Sequence, residues 1–250
     1  MTKNVLIVLA HPDPRSYTAA LKNEAVAALE EQGLSVAVSD LYAMEFDAVA
    51  GPADVTERLS TASFNLALEQ GNALEKGALS PDIIAEQEKV RAADLIIFQF
   101  PMWWFGMPAI LKGWVDRVLS YKFAYGVGQW WDAGPFSDKQ AMLQVTTGTP
   151  AGAYATDGRN GDIDRILWPI EAGVLAICGF KVLPSFQAYG APWIGDEGRK
   201  AQISAWRDHV VRAAKGQLEP RFFHPLADFG DDLRLRADVL PRTPGQHRLR

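Results

Sequence analysis

Short apolar runs alternate with helical patterns along most of the chain. Five runs rich in aliphatic and aromatic residues predict strands at residues 4–9, 34–39, 94–100, 139–146 and 181–188. The first of them, NVLIVL, is aliphatic at every position after Asn4, which is typical of a strand that is covered on both faces. We therefore expect a largely buried sheet.

The segments between these runs have helical spacing. In residues 16–32, Leu21, Ala25 and Leu29 recur along one face of a helix. Similar patterns predict helices at residues 80–92, 108–119, 163–177 and 196–214, and short helical pieces within 51–80. Strands that alternate with helices predict an α/β protein whose parallel sheet is covered by helices on both faces.

The composition changes after residue 216. Residues 217–250 are rich in Pro, Arg and Asp and have little periodicity. We expect one domain over residues 1–216 and a C-terminal extension, residues 217–250, that packs on this domain or on a partner subunit.

Charge and cysteine content exclude several classes of protein. The net charge is −5, which argues against nucleic acid as a partner, because nucleic-acid binding usually requires a basic surface. No apolar run reaches the roughly 18 residues of a membrane span. The single cysteine, Cys178, excludes an internal disulfide and fits a cytoplasmic location. Its apolar neighbours indicate a core thiol rather than a nucleophile.

Ligands of open parallel sheets bind beyond the carboxyl ends of the strands, so the loops at those ends form the candidate site. The loop after the first predicted strand leads from His11 to Ser16, Tyr17 and Thr18 at the start of a helix. Backbone N–H groups and hydroxyls at a helix start can bind an anion. We predict that these four residues hold a pyrophosphate; the alternative is that Ser16 only caps the helix.

The loop after the third predicted strand has the sequence PMWWFGMP, residues 101–108. Its two prolines stiffen the loop, and Gly106 allows the backbone to approach a ligand closely. Trp103, Trp104 and Phe105 can therefore stack on a planar ring. The alternatives are a satellite core or a subunit interface.

The loop after the fourth predicted strand, TTGTP, is small and carries hydroxyls at Thr146, Thr147 and Thr149. Its backbone N–H groups could bond the acceptors of a heteroaromatic ring, although an ordinary polar turn would have the same sequence. An anion-binding loop, an aromatic loop and a donor-rich loop at one edge of the sheet together predict a flavin nucleotide as ligand.

Several segments, in this order, resemble the NAD(P)H quinone oxidoreductases of the DT-diaphorase type: LIVLAHP, SDLYAM, AADLIIFQFP, WFG-PAILKGW, TTG, ILWPI and CGF-VL. The similarity extends from about Val5 to about Trp206. It implies a flavodoxin-like three-layer fold with a five-stranded parallel sheet, and a homodimer with FAD at the subunit boundary. It also implies two-electron transfer from NADPH or NADH to quinones in a ping-pong cycle.

The resemblance also implies a set of site residues. FAD contacts fall on His11, Tyr17, Thr18, Asn65, Pro101, Met102, Trp103, Trp104, Phe105, Thr146, Thr147, Gly148, Thr149, Tyr154 and, through a looser alignment, Arg199. The substrate slot is implied at Trp104, Phe105, Tyr125, Val127 and Asn160, with Tyr125 contributed by the partner subunit.

This chain departs from the family pattern at four places. Val127 replaces a second Tyr, Thr149 replaces the second Gly of the donor-rich loop, and Asn160 replaces a His of the best-known branch. A second branch, which makes little use of NAD(P)H, also has Asn at this position. That branch binds a metal through a His pair, for which this chain has Ala172 and Ala176, so we expect no structural zinc.

We predict catalytic roles for Tyr154 and Asn160. Reduction places negative charge on the carbonyl edge of a flavin, and the Tyr154 hydroxyl with the Gly148–Thr149 amides would stabilise it. Asn160 can donate a hydrogen bond but cannot take up a proton near neutral pH. The alternatives are a buried Tyr bonded to the backbone and a simple Asn-Gly turn.

Two other functions share these features. A flavin-containing regulatory subunit, for example one ancillary to an ion-efflux system, would use the extension and the acidic surface for docking. An azo- or nitroreductase would use the same chemistry with another electron acceptor.

Overall fold

The apolar runs form one parallel sheet in the computed structural model, which describes residues 2–239. The strands are β1 (Asn4–Leu9), β2 (Ser35–Asp40), β3 (Leu95–Pro101), β4 (Gln140–Thr146), β5 (Lys181–Val182) and β6 (Phe186–Ala188). Their order across the sheet is β2-β1-β3-β4, and β5 and β6 both pair with β4 at the far edge. The first four predicted strands are confirmed to within one residue at each end.

The fifth predicted strand, residues 181–188, is interrupted. Its two ends form β5 and β6, and residues 183–185 leave the regular ladder between them. Pro184 lies in this gap, where it has no N–H group to donate to β4. Two short strands thus occupy the position of one, and the prediction of a five-stranded sheet is confirmed in this form.

The helices are α1 (Tyr17–Glu31), α2 (Leu66–Lys76), α3 (Pro81–Ala92), α4 (Ala109–Val118), α5 (Ile163–Ile170) and α6 (Gly195–Ala214). Because successive strand residues point to opposite faces, β1 contributes Val5 and Ile7 to one core and Leu6 and Val8 to the other. The first core is closed by α1 and α6, and the second by α3, α4 and α5. The result is the three-layer arrangement that the resemblance implied.

Two predicted helical segments differ from the structure. The helix expected over residues 163–177 ends at Ile170 and continues as a π-helical turn, Glu171–Leu175, and a 3₁₀ turn, Ala176–Cys178. Pro169 lies inside α5 and cannot donate a helical hydrogen bond. Residues 51–80 are more regular than expected, because they contain the eleven-residue helix α2.

The C-terminal extension begins on its own domain. The Arg221 amide donates to the Val182 carbonyl at 2.7 Å, and its guanidinium pairs with Asp164 at 2.7 Å and with Glu171 at 3.2 Å. These contacts fix the first part of the extension against β5 and α5. Residues 240–250 lie outside the described part of the chain.

Three further expectations concern the chain as a whole. Cys178 is buried, and burial raises the pKa of its thiol to about 12, which confirms a core thiol. Ala172 and Ala176 are buried, and within residues 2–239 no three His, Cys, Asp or Glu side chains are grouped so as to hold a metal ion. None of the described helices has the length and apolar character needed to cross a membrane.

Candidate functional site

Three loops meet at the carboxyl edge of the sheet. We call them the first loop (residues 10–16), the aromatic loop (residues 101–108) and the donor loop (residues 146–150). The Ala10 amide donates to the Gln99 carbonyl at 3.0 Å, and the Met102 amide donates to the Thr146 carbonyl at 2.9 Å. The ring of His11 lies 6.4 Å from that of Trp103. The structure thus places side by side the three loops that the sequence assigned to one site.

A buried polar bridge lies beneath this edge. The hydroxyls of Thr18 and Thr146 are 2.8 Å apart, and the Gln99 side chain donates to the Thr18 carbonyl at 2.8 Å. All three side chains are buried. The bridge fixes the start of α1 against the end of β4, so the Thr18 and Thr146 side chains support the site from below. Pro101, buried at the end of β3, pairs with Thr146 across the sheet.

The start of α1 presents backbone donors. The Ser16 hydroxyl accepts a hydrogen bond from the Ala19 amide at 3.1 Å, so Ser16 caps the helix, as its alternative reading stated. The amides of Tyr17 and Thr18 donate to no acceptor within residues 2–239. Free amides and the positive end of the helix dipole are suited to a phosphate group.

Tyr17 joins the first loop to α6. Its hydroxyl donates to the Gln202 side-chain oxygen at 3.0 Å and to the Arg199 carbonyl at 3.3 Å, and burial raises its pKa to about 12. The Arg199 guanidinium bonds the Ala191 carbonyl at 3.0 Å and the Asp196 carboxylate at 2.5 Å. Arg199 therefore lies near the helix start, with the Tyr17 hydroxyl engaged by protein.

The aromatic loop is a tight turn that displays its rings. Trp103 and Gly106 exchange two backbone hydrogen bonds, of 3.0 and 3.2 Å. Between them Trp104 and Phe105 have φ of +52° and +58°, the left-handed conformation of a type I′ turn, for which Asn and Gly are preferred. Trp103, Trp104 and Phe105 are 41%, 99% and 52% exposed, so the alternative of a satellite core is wrong for Trp104.

In the middle of the donor loop, each backbone carbonyl already accepts a hydrogen bond from the protein. The carbonyl of Thr147 accepts from the Ala191 amide at 3.1 Å, and the carbonyl of Gly148 accepts from the indole N–H of Trp193 at 2.8 Å. The Thr149 carbonyl accepts from the Thr147 hydroxyl at 2.8 Å. The Thr147 amide also donates to the Ala188 carbonyl at 3.0 Å, so the first part of the loop is held through a donor as well as through its acceptors.

Two backbone donors of the same loop remain free. The amides of Gly148 and Thr149 make no hydrogen bond within residues 2–239. Gly148 is exposed and Thr149 is half-buried. A loop with satisfied acceptors and free donors is suited to the acceptor edge of a ligand, or to negative charge that develops there.

The two predicted catalytic residues lie beside the donor loop. Tyr154 is buried, its ring is 5.6 Å from that of Tyr189, and its hydroxyl has no hydrogen-bond partner among the described residues. The alternative of a Tyr bonded to the backbone is therefore not observed. Asn160 donates from its side-chain nitrogen to the Thr149 hydroxyl at 3.1 Å and from its amide to the Ala153 carbonyl at 2.8 Å.

Three predicted site residues lie elsewhere in the chain. Asn65 is exposed and caps α2 by accepting from the Leu68 amide at 3.1 Å. Tyr125 is half-buried beside Tyr121, with ring centroids 5.6 Å apart, and Val127 is 83% exposed. No described hydrogen bond or ring contact joins these residues to the three loops.

Sequence reasoning missed two residues of the site. Gln99 lies within the apolar run DLIIFQF, and a polar residue in such a run indicates a buried hydrogen bond. Trp193 is 74% exposed and holds the Gly148 carbonyl from 45 positions along the chain. No local pattern indicates that contact, because Trp193 lies in an irregular segment before α6.

Comparison with known proteins agrees with this architecture. The model of a family described by its flavodoxin-like fold matches residues 3–213. Rat NAD(P)H dehydrogenase (quinone) 1 is 41% identical over 239 residues, which cover 95% of this chain and 86% of the relative. Human ribosyldihydronicotinamide dehydrogenase (quinone) is 47% identical over 223 residues, which cover 89% of this chain and 96% of the relative.

A solved structure is similar over nearly the whole chain. A Klebsiella pneumoniae protein described as a candidate quinone reductase superimposes with a TM-score of 0.92 at 39% identity. The superposition covers 98% of each chain. The likeness therefore includes the C-terminal extension as far as the structure describes it.

Proposed function

This chain belongs to the flavodoxin-like family of NAD(P)H quinone oxidoreductases, and from that premise we propose that it is an FAD-dependent enzyme which transfers two electrons from NADPH or NADH to quinones. The observation that carries the proposal is the donor loop. Its acceptors are all bonded within the protein, and its Gly148 and Thr149 amides are free beside an aromatic turn and a helix start.

The residues of the three loops fit a flavin. The free amides at the start of α1 are suited to the pyrophosphate, and Arg199 lies close enough to Tyr17 to extend that site towards the adenosine half of FAD. Trp103, Trp104 and Phe105 provide flat walls for the ring system. The Gly148 and Thr149 amides and the unpaired Tyr154 hydroxyl provide donors for its carbonyl edge.

When bound, FAD supplies a ring that accepts two electrons as a hydride and returns them to an acceptor. The side chains of Trp104, Phe105 and Asn160 then orient the reactants against that ring. We propose that nicotinamide and quinone occupy one slot beside that ring in turn, which would give ping-pong kinetics. The Asn160 side chain can hydrogen-bond at this slot but cannot take up a proton near neutral pH. The preferred hydride donor is therefore a property to be measured.

A homodimer completes the proposed site. An apolar groove with a volume of about 340 Å³ lies between α2, α4 and the turns after α5, where Val115, Leu119, Tyr125 and Val174 line it. A second copy that covers this groove would explain why Asn65, Tyr125 and Val127 lie away from the loops of their own protomer. They would then serve the partner's site. We place the enzyme in the cytoplasm, where a free Cys178 stays reduced.

Steady-state kinetics with three hydride donors test the proposed function. Purified protein reconstituted with FAD should oxidise NADPH, NADH or dihydronicotinamide riboside rapidly once menadione is added, with the parallel double-reciprocal lines of a ping-pong cycle. A yellow protein inert with all three donors would favour the regulatory subunit instead. Fast turnover of azo or nitro compounds with slow turnover of quinones would favour the other reductases.

A further inference from the structure

Two departures from the family pattern touch each other in this chain. Thr149 stands where the quinone oxidoreductases have the second Gly of the donor loop, and Asn160 stands where their best-known branch has a His. The Asn160 side-chain nitrogen lies 3.1 Å from the Thr149 hydroxyl oxygen. The two replacements thus form one hydrogen-bonded pair at the proposed flavin site.

The direction of this hydrogen bond fixes the direction of the hydroxyl proton. An amide nitrogen offers only hydrogens, so the Thr149 oxygen accepts from Asn160. The hydroxyl proton must then point away from Asn160. The other acceptor of this residue, its carbonyl, is occupied by the Thr147 hydroxyl at 2.8 Å, and its amide is free within residues 2–239. Thr149 therefore presents two free donors.

We propose that the Thr149 hydroxyl, oriented by Asn160, is an additional hydrogen-bond donor to the carbonyl edge of the bound flavin. This inference rests on the proposed function and names a donor that glycine at this position cannot supply. Thr149 acts on the cofactor directly, and Asn160 is a positioning residue that acts through it. Because Thr149 is half-buried, its hydrogen bond is screened less than one in open water.

Such a donor favours one redox state over the other. A hydrogen bond to a charged acceptor is worth more than one to a neutral acceptor. Reduction adds negative charge at the carbonyl edge, so the hydroxyl should strengthen the binding of reduced FAD more than that of oxidised FAD. A residue with a purely structural role would change the binding of both states alike.

The first experiment is Thr149→Val, which keeps the shape of the side chain and removes the hydroxyl. We expect the dissociation constant of oxidised FAD, from fluorescence quenching, to change by less than about threefold. Reduced FAD should bind about tenfold more weakly, which is a midpoint potential about 30 mV lower for a two-electron couple. Thr149→Ser should restore the wild-type potential. Thr149→Gly carries the residue typical of the family and replaces the Val variant if that variant misfolds.

The second experiment tests the role of Asn160. The Asn160→Asp carboxylate accepts the Thr149 proton and turns it away from the flavin, so the potential should fall. It should fall less in the Thr149→Val background, where only the added charge acts. An unchanged potential in Thr149→Val, or additive effects of the two substitutions, would overturn the inference while leaving the quinone reductase intact. A wild-type protein that binds no FAD would overturn both.

Discussion

The ring of Tyr154 is buried, and its hydroxyl has no hydrogen-bond partner among the described residues. The hydroxyl oxygen is not one of the fully enclosed polar atoms that lack a partner, so it is open to water or to a ligand. It lies in the segment that follows the donor loop, with its ring against Tyr189. A hydroxyl that the protein leaves free beside the donor loop can donate to an acceptor that the ligand supplies.

Replacement of Tyr154 by Phe removes that donor and keeps the ring. We expect reduction of the bound FAD by NADPH to slow by about ten- to a hundredfold, the low end of the range for one positioned donor. Tyr189→Phe is the matched control, because it changes the neighbouring ring in the same way. Stopped-flow rates that agree within twofold for wild type and Tyr154→Phe would remove Tyr154 from the mechanism.

His209 gives the fold a pH dependence that is separate from the site. Its ring donates to the Pro184 carbonyl at 2.9 Å and packs against Phe186 and Trp206. Burial lowers the pKa of His209 below its ordinary value of 6.5. The unfolded chain therefore binds more protons than the folded chain between the folded pKa and 6.5, and stability is lost as the pH falls through this window.

Replacement of His209 by Gln removes the titrating group and keeps a donor for Pro184. We expect the free energy of unfolding of the wild type to fall more steeply than that of His209→Gln as the pH is lowered from 7 to 5. Urea unfolding at several pH values gives both curves. Parallel curves would show that His209 titrates alike in the folded and unfolded chains.

At the scale of the elements, the aromatic loop holds its rings exposed at a cost in folding stability. Two residues other than glycine with left-handed φ each cost roughly 1–2 kcal/mol, and the ring of Trp104 recovers nothing by burial, since it is 99% exposed. Strain of this kind is common where a side chain is held for a ligand. The strain and the exposure therefore have one explanation, which is a partner for the rings.

The double substitution Trp104→Asn with Phe105→Gly gives the turn its preferred residues. The free energy of unfolding of the apoprotein should rise by about 1–2 kcal/mol, less than the full strain because glycine also gains entropy in the unfolded chain. The affinity for FAD and kcat/KM for menadione should fall. Urea unfolding at fixed chain concentration measures the first effect, and a less stable variant would contradict the strain argument.

The helices and strands show where the apolar pattern of the sequence is sufficient to predict an element and its ends. Strands β1, β3 and β4 follow from largely apolar runs, as expected for strands buried on both faces. Strand β2, at the edge of the sheet, instead alternates exposed and half-buried residues from Ser35 to Val38. The fifth strand and the helix after Asp162 are shorter than the apolar pattern predicts, because Pro184 and Pro169 interrupt them without breaking that pattern. The spacing of apolar residues indicates which residues are buried. It does not indicate where a proline removes a backbone hydrogen bond.

The site was predictable only in part for a similar reason. Its three loops follow from the strand ends, since the carboxyl ends of parallel strands meet at one edge. The contacts that give the donor loop its character come from Trp193 and Asn160, which lie in irregular segments 45 and 11 positions away. Irregular segments have no period, so their partners become visible only in three dimensions.

At the scale of the whole molecule, the apolar groove is the feature that one protomer leaves unexplained. Val174 projects into it beside Val115 and Tyr125. Replacement by Arg places an unpaired charge in the proposed interface, which should weaken the dimer by about a hundredfold or more. Val49→Arg is the control, because Val49 is 74% exposed and lies outside the groove. Sedimentation velocity should show monomers for Val174→Arg alone; dimers of both variants would place the interface elsewhere.

The central claim is that three loops at one edge of the sheet hold FAD. Titration of the apoprotein with FAD, followed by the quenching of flavin fluorescence, tests it most directly, with FMN and riboflavin titrated in parallel. We predict saturation at one FAD per chain and much weaker binding of FMN and riboflavin. Riboflavin lacks the pyrophosphate proposed for the first turn of α1, and FMN lacks the second phosphate and the adenosine proposed to extend towards Arg199. Equal affinity for all three flavins, or no saturable binding of FAD, would contradict the account.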